Sequence, residues 1–284
     1  MLRRLVPSLV LLVTLVLPGP APAATETLAE RTLREVVERE RQLFARAEQE
    51  GEQLDEARFA TEAQALAASY DVLLQKNPEF TAAYVAYGLF LGRVDMPKAA
   101  VAMLLKANRL DPNLAVVKNQ LAKHLAEDGR PLEALPYLMS AVDLAPREPL
   151  YHFHLAKLLL EAREEFLRSG EWTRPALEKA MLDGFRRAAD LAPGEFSLAY
   201  QHAKAFYELD PPRWEEALAA WQALEPRAPT AAARQLVRLQ QANVLARLGR
   251  ADDARALLEG IRDPQFDEEK AKVAELLAAP AKGR

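Results

Sequence analysis

The sequence predicts an all-α fold in which one helical unit is stacked on copies of itself. Pro78, Pro112 and Pro146 stand 34 residues apart. Small residues recur ahead of them, Ala100 and Ala134 by twelve positions, Ala107 and Ala141 by five. Glycine is scarce at 11 of 284 residues, and Ala, Leu, Glu and Arg dominate, as suits helix. A fixed period of this size marks repeated copies of one supersecondary unit, none of which buries its apolar face alone.

Each element follows from local chemistry. Proline at the end of a unit cannot continue the helix before it. Glycine at Gly129 and Gly249 offers the left-handed residue that closes a first helix. Pro97, Pro131 and Pro211 fall where second helices should begin, and there the missing N–H costs nothing. Gly88 and Gly92 lie within a helix at a spacing that suits close packing. Later copies drift. One runs from Pro149 through Ala156, Phe185 and Ala188 to Pro193, with about 13 extra residues between its helices by the period of the other units. Another contains Ala203, Ala217 and Trp221 and ends at Pro229, and a last one contains Ala242, Gly249 and Ala254. Leu54–Pro78 reads as the second helix of a degenerate first copy.

The residues Tyr84, Gly88, Leu91, Ala100, Leu104, Ala107 and Pro112, repeated as Ala122, Leu125, Ala134, Leu138, Ala141 and Pro146, resemble the tetratricopeptide repeat (TPR). The resemblance implies a right-handed superhelix of about six helix–turn–helix units with helical caps. It also implies work by binding. Boundaries follow as a signal peptide over 1–23, a solenoid with an N-terminal amphipathic helix over 24–264, and a capping helix with a short tail over 265–284. The caps are Glu26–Glu50, with Leu28, Leu33, Val36, Leu43 and Phe44 on one side, and Phe266–Ala278.

Residues 1–23 read as an export signal. Arg3 and Arg4 form the positive start, Leu9–Leu17 is apolar save Thr14, and Ala21-Pro22-Ala23 is a small-x-small cleavage site. The run is shorter than the roughly 20 apolar residues that span a bilayer. No cysteine occurs, so neither a disulfide nor a lipid-acceptor cysteine is available. The expected location is periplasmic or secreted, in a bacterial envelope, with no membrane span after cleavage.

Charge and motif content bear on function. Without Arg3 and Arg4 the balance is 35 basic against 41 acidic residues, or −6, which disfavours nucleic acid as a partner. No thiol nucleophile, Gly-rich phosphate loop, His-Glu-x-x-His or Gly-x-Ser-x-Gly is present, so no cofactor, metal or catalytic residue is assigned. His152 and His154 are two apart on a helix and do not share a face. His202 is expected in the core and His124 at the surface.

In the repeat family, positions 2, 5, 9, 12 and 13 of each first helix line the concave face. Carried over, these positions give Ala82, Val85, Leu89 and Arg93. Asn119, Lys123 and Glu127 follow, then Phe153, Lys157 and Glu161. Tyr200, Lys204, Tyr207 and Glu208 come next, and Leu239, Asn243 and Arg247 last. Lysine recurs at position 9 in three consecutive units with glutamate four residues on, a spacing at which each pair can meet. The candidate groove is therefore Asn119, Lys123, Phe153, Lys157, Tyr200, Lys204 and Asn243. Asn119 and Lys123 stand in the reverse of the Lys–Asn order of TPRs that bind chaperone tails. The expected function is a non-catalytic scaffold for a protein or peptide partner. The alternatives are self-association through the Glu26–Glu50 helix into a homo-oligomer, or a scaffold of a polysaccharide or secretion machine. The extra segment, Glu161–Ala180, is expected to extend its first helix to about Arg168, with Phe166 and Trp172 stapling an arm.

If 1–23 is a signal, mass spectrometry of the chain recovered from its own cell should find a new N-terminus at Ala24 or Thr25. An intact Met1 would contradict that reading.

Overall fold

The computed structural model describes residues 26–278. The predicted signal over 1–23 and the last six residues lie outside them. The described residues form fourteen α-helices and short 3-10 turns, with no strand. They divide into two compact units, one ending at Pro78 and one beginning at Glu79.

The first unit is a helical hairpin of α1 (Leu28–Glu50) and α2 (Glu56–Lys76). Thr27 caps α1 with the reciprocal Thr27–Glu30 pair, and Asp55 caps α2 through the Arg58 N–H. The apolar side of α1 is used within the hairpin. Val36 and Leu43 are buried, and the Phe44 ring meets Phe59 edge-on at 5.8 Å. The fully buried Tyr70 donates to Glu40 at 2.9 Å, and burial beside that carboxylate pushes the phenol's pKa up. The segment expected as a cap pairs with the helix expected as the second of a degenerate copy.

The second unit contains α3 (Thr81–Arg93), α4 (Pro97–Leu110), α5 (Ala115–Glu127), α6 (Pro131–Leu144), α7 (Pro149–Glu161), α8 (Arg163–Ser169), α9 (Arg174–Leu191), α10 (Phe196–Ala205), α11 (Trp214–Leu224), α12 (Ala231–Arg247), α13 (Ala251–Glu259) and α14 (Asp267–Ala278). Consecutive helices pack as pairs: α3 with α4, α5 with α6, α7 with α9, α10 with α11, and α12 with α13. The repeat alanines carry these contacts. Ala100, Ala107, Ala122, Ala134, Ala141, Ala156, Ala203, Ala242 and Ala254 have no accessible surface. Where the axes come closest, glycine replaces alanine. A Cβ on Gly88 would lie 2.8 Å from Leu104 Cγ, and one on Gly184 would lie 2.9 Å from Ala156 Cβ. Helix α14 closes the far end against α12 and α13, burying Val273 and, just before it, Phe266.

Three of the turns inside the units share one geometry. Gly129 and Gly249 adopt φ +73° and +75°, as the sequence predicts. Each is followed by an N–H that reaches back to the preceding helix, Arg130 to Leu125 O and Arg250 to Leu245 O, both at 2.9 Å. This is the Schellman closure. The α3–α4 turn makes the same closure, Met96 N–H to Leu91 O at 2.9 Å, around Asp95 at φ +59°. A residue with a Cβ therefore stands where those two turns place glycine.

Two expectations are corrected. The extra segment does not lengthen α7, because the backbone breaks at Ala162 (φ −104°, ψ 24°) and α8 starts afresh at Arg163. The break lets Phe166 turn inward, where it is fully buried and meets Trp172 at 6.4 Å. Phe166 is core, not an arm. Thr173 then caps α9, with Pro175 in its first turn, as expected. Pro97 and Pro131 do open α4 and α6, but Pro211 lies three residues ahead of α11, after a cis bond from Asp210.

Asp95→Gly should raise the urea midpoint, by about 0.5–1 kcal/mol in stability, since it removes a Cβ from a left-handed position. Gly129→Ala should lower it by about 1 kcal/mol, and Gly88→Ala by about 1–3 kcal/mol through overpacking on Leu104. Equal midpoints for Asp95→Gly and the parent would contradict the strain assigned to that turn.

Candidate functional site

The first helices of the units in the second compact unit, α3, α5, α7, α10 and α12, carry the candidate residues. Helix α5 packs directly on α7 as well as on its own partner α6.

The group on α5 and α7 is polar at its centre. Asn119 is buried, and its Oδ1 accepts from His154 Nδ1 at 2.8 Å, so the ring's hydrogen lies on Nδ1. Burial, then Lys157, then Lys123, push the His154 pKa down to about 4. Lys123 meets Glu127 at 3.8 Å and Lys157 meets Glu161 at 3.6 Å, all four side chains being largely exposed. Two of the three predicted Lys–Glu pairs are present. Each contributes a few tenths of a kcal/mol at most.

The third pair is not made. Helix α10 stops at Ala205, and Phe206–Glu208 form a 3-10 turn. The tighter winding removes Glu208 from the position four residues beyond Lys204 on an α-helix. Lys204 forms no ion pair among the described residues.

The aromatic candidates are half-buried. Phe153 meets Phe185 edge-on at 5.8 Å, and Tyr200 meets Trp221 edge-on at 4.9 Å. Each ring thus has one side held by its own unit's second helix. Asn243 is half-buried on α12. Val85 and Leu239, which the family positions would place in the lining, are buried in the core.

A further group lies across α10, α11 and α12. The Tyr207 hydroxyl accepts from Trp221 Nε1 at 2.5 Å and donates to Gln240 Oε1 at 3.4 Å. Its ring lies 5.2 Å from Trp214, and the Arg247 guanidinium sits 4.9 Å over Trp214. Tyr207 and Arg247 were legible from the repeat positions. Trp214 and Gln240 were not, since Trp214 opens a second helix and Gln240 falls between the lining positions.

The histidines divide. His202 is half-buried against Phe206 at 5.3 Å, close to expectation. His124, expected at the surface, is buried. A Cβ on Gly92 would lie 3.3 Å from its Nε2, so the glycine makes room for the ring. Burial lowers the pKa of both His124 and His202. His152 Nε2 lies 2.9 Å from Pro146 O, apart from His154. Among the described residues no three His, Asp or Glu side chains are grouped to hold a metal, and no helix is long and apolar enough to cross a membrane.

No protein-family model matches the chain, and no curated protein matches it in sequence. Solved structures do match in fold. The TPR protein YrrB, described as having an unusual peptide-binding site, is 18% identical with a TM-score of 0.59, over 74% of this chain and 98% of that one. PilF of Pseudomonas aeruginosa is 15% identical with a TM-score of 0.60, over 87% of this chain and 98% of its own. PilW, described as a widely conserved type IV pilus biogenesis factor, is 13% identical with a TM-score of 0.59, over 89% and 100%. The chain has the tetratricopeptide-repeat fold. This TPR solenoid is defined by its backbone, since identities this low carry the fold alone.

The half-buried His154 sets a pH window. His154 has an ordinary pKa of 6.5 and a folded pKa of about 4, so acid protonates the unfolded chain first. The unfolding midpoint should be steady above the ordinary value and fall as pH drops from it toward the folded one. His154→Gln, which can still donate to Asn119, should flatten part of that fall. The paired carboxylates with lowered pKa, such as Glu133 and Glu216, stabilise the fold above their ordinary 4.5 and lose that contribution only as pH falls below it. Midpoints that stay constant from the ordinary 6.5 down to about 5 would contradict the half-buried, neutral assignment.

Proposed function

We propose that this TPR protein is a non-catalytic scaffold that binds a protein or peptide partner along the face formed by its first helices. The observation that carries the reading is the spacing of half-buried rings and exposed lysines on successive first helices. Phe153 and Tyr200 are each held on one side by their own unit, and Lys123, Lys157 and Lys204 stand at the same position of three units. A ring held on one side and open on the other is an anchor whose conformational cost is already met. Stacked helical units present such anchors along an extended path, as suits an extended peptide or a partner helix. YrrB, a protein of this fold with a peptide-binding site, supports a peptide partner by analogy.

The setting we propose is the bacterial envelope. It rests on the signal-like residues 1–23, and the description of PilW as a pilus biogenesis factor is in keeping with it. Self-association through α1 has less support, because Val36, Leu43 and Phe44 are engaged on α2.

Capture of partners from an envelope extract on the immobilised chain tests the reading. Phe153→Ala and Tyr200→Ala should each weaken the captured interaction by about 1–3 kcal/mol with helicity intact by circular dichroism. Arg109→Ala and Asp143→Ala, at charges on second helices, should leave it unchanged. Wild-type capture by both ring variants, with loss in Trp172→Ala, would move recognition to the α8 segment and refute the proposal.

A further inference from the structure

The first-helix face is not uniform in charge. On α5 and α7 each lysine is matched by its own glutamate at 3.8 and 3.6 Å, so that stretch is locally neutral. On α10 and α12 the match fails. Lys204 and Arg247 form no ion pair among the described residues, and the nearby Arg213 is already engaged by Glu216. Glu208 adds a negative charge to this end, but the 3-10 turn at Phe206 keeps it from closing on Lys204.

The two cations are joined by a chain of ring contacts that passes through the fully buried Trp221. Lys204 lies one helical turn beyond Tyr200 on α10. Tyr200 rests on Trp221, whose Nε1 donates to Tyr207, and Tyr207 abuts Trp214 at 5.2 Å. Arg247 covers Trp214. A guanidinium held by one face on a ring keeps its in-plane N–H groups available, and those are the donors that take a carboxylate in two-point fashion. Stacking also removes much of the side chain's freedom, so less is lost when a carboxylate binds.

We infer that the α10–α12 end of this face recognises an internal acidic segment of an extended partner, with a glutamate or aspartate side chain on Arg247 and a second near Lys204, and with apolar side chains against Tyr200 and Trp214. This rests on the first-helix face being the docking surface and adds where along it the specificity lies. The α5–α7 stretch, neutralised by its own glutamates, contributes contact area and little charge discrimination.

Two ten-residue probe peptides test this, both acetylated and amidated so that no chain terminus supplies a charge. One alternates glutamate with leucine and glycine. The other has glutamine at every glutamate. Fluorescence anisotropy of each labelled peptide is followed against the purified full chain at about 0.01 M salt, where screening extends over about 30 Å. The glutamate peptide should bind at least about tenfold more tightly than the glutamine one and weaken steeply as salt rises. Arg247→Gln and Lys204→Gln should each weaken it about three- to tenfold, while Lys123→Gln and Lys157→Gln change it less than about twofold. Tryptophan fluorescence should respond to the peptide, and Trp214→Phe should remove most of that response. Equal affinity for the two peptides, with loss in Tyr200→Ala, would overturn the acidic specificity and leave the docking face standing. Greater loss from the Lys123 and Lys157 variants than from Arg247→Gln would also overturn it. So would absence of binding by either peptide, the docking face then being judged by the capture experiment alone.

Discussion

The two helices of a unit meet at alanine and glycine positions, and the rest of the array depends on that contact. Ala100, Ala122, Ala134 and Ala156 have no accessible surface, and at Gly88 and Gly184 even a methyl group would collide. Close approach at these small residues lets larger side chains pack densely around them. Trp221, Phe90, Leu104 and Phe166 are fully buried, with Leu104 directly over Gly88. The half-buried rings of the candidate face rest on the same packing: Tyr200 on α10 lies edge-on against Trp221 on α11.

The fold was legible because its determinants are local and repeated. A proline that stops a helix, a glycine that turns left-handed and an alanine at a contact each act within a few residues, and three copies confirm one another. The extra segment was misread for the opposite reason. EAREEFLRS has good helix formers throughout, and propensity alone runs it on from α7. Burying Phe166 against the neighbouring layers outweighs one continuous helix, and the backbone breaks at Ala162. His124 fails similarly. Its burial depends on Gly92 of another unit, far away along the chain, and no local pattern announces that partnership.

The candidate face was legible in outline and not in its electrostatics. Position within the repeat brought Lys123, Lys157 and Lys204 to one row, and spacing paired each with a glutamate. Whether a pair forms depends on the helix continuing through its second member. It does so through Glu127 and Glu161, and stops short of Glu208. Asn119 shows the other limit. It stands at a lining position, yet its amide oxygen is taken by His154, which ties α5 to α7. The repeat position placed a polar residue there without revealing that its partner is internal.

The inserted helix α8 has a consequence for how such an array comes apart. In a linear stack each unit is supported only by its neighbours, so disorder enters from the ends and travels inward. The α7–α9 unit has α8 folded against it, with Phe166, Leu177 and Met181 fully buried in one cluster. It therefore has a third layer where other units have two. Amide exchange in a chain of this kind is slowest where most backbone must open at once, which places the slowest protons in α7 and α9. The insertion acts as a keystone, dividing the repeats before it from those after it into segments that can breathe separately.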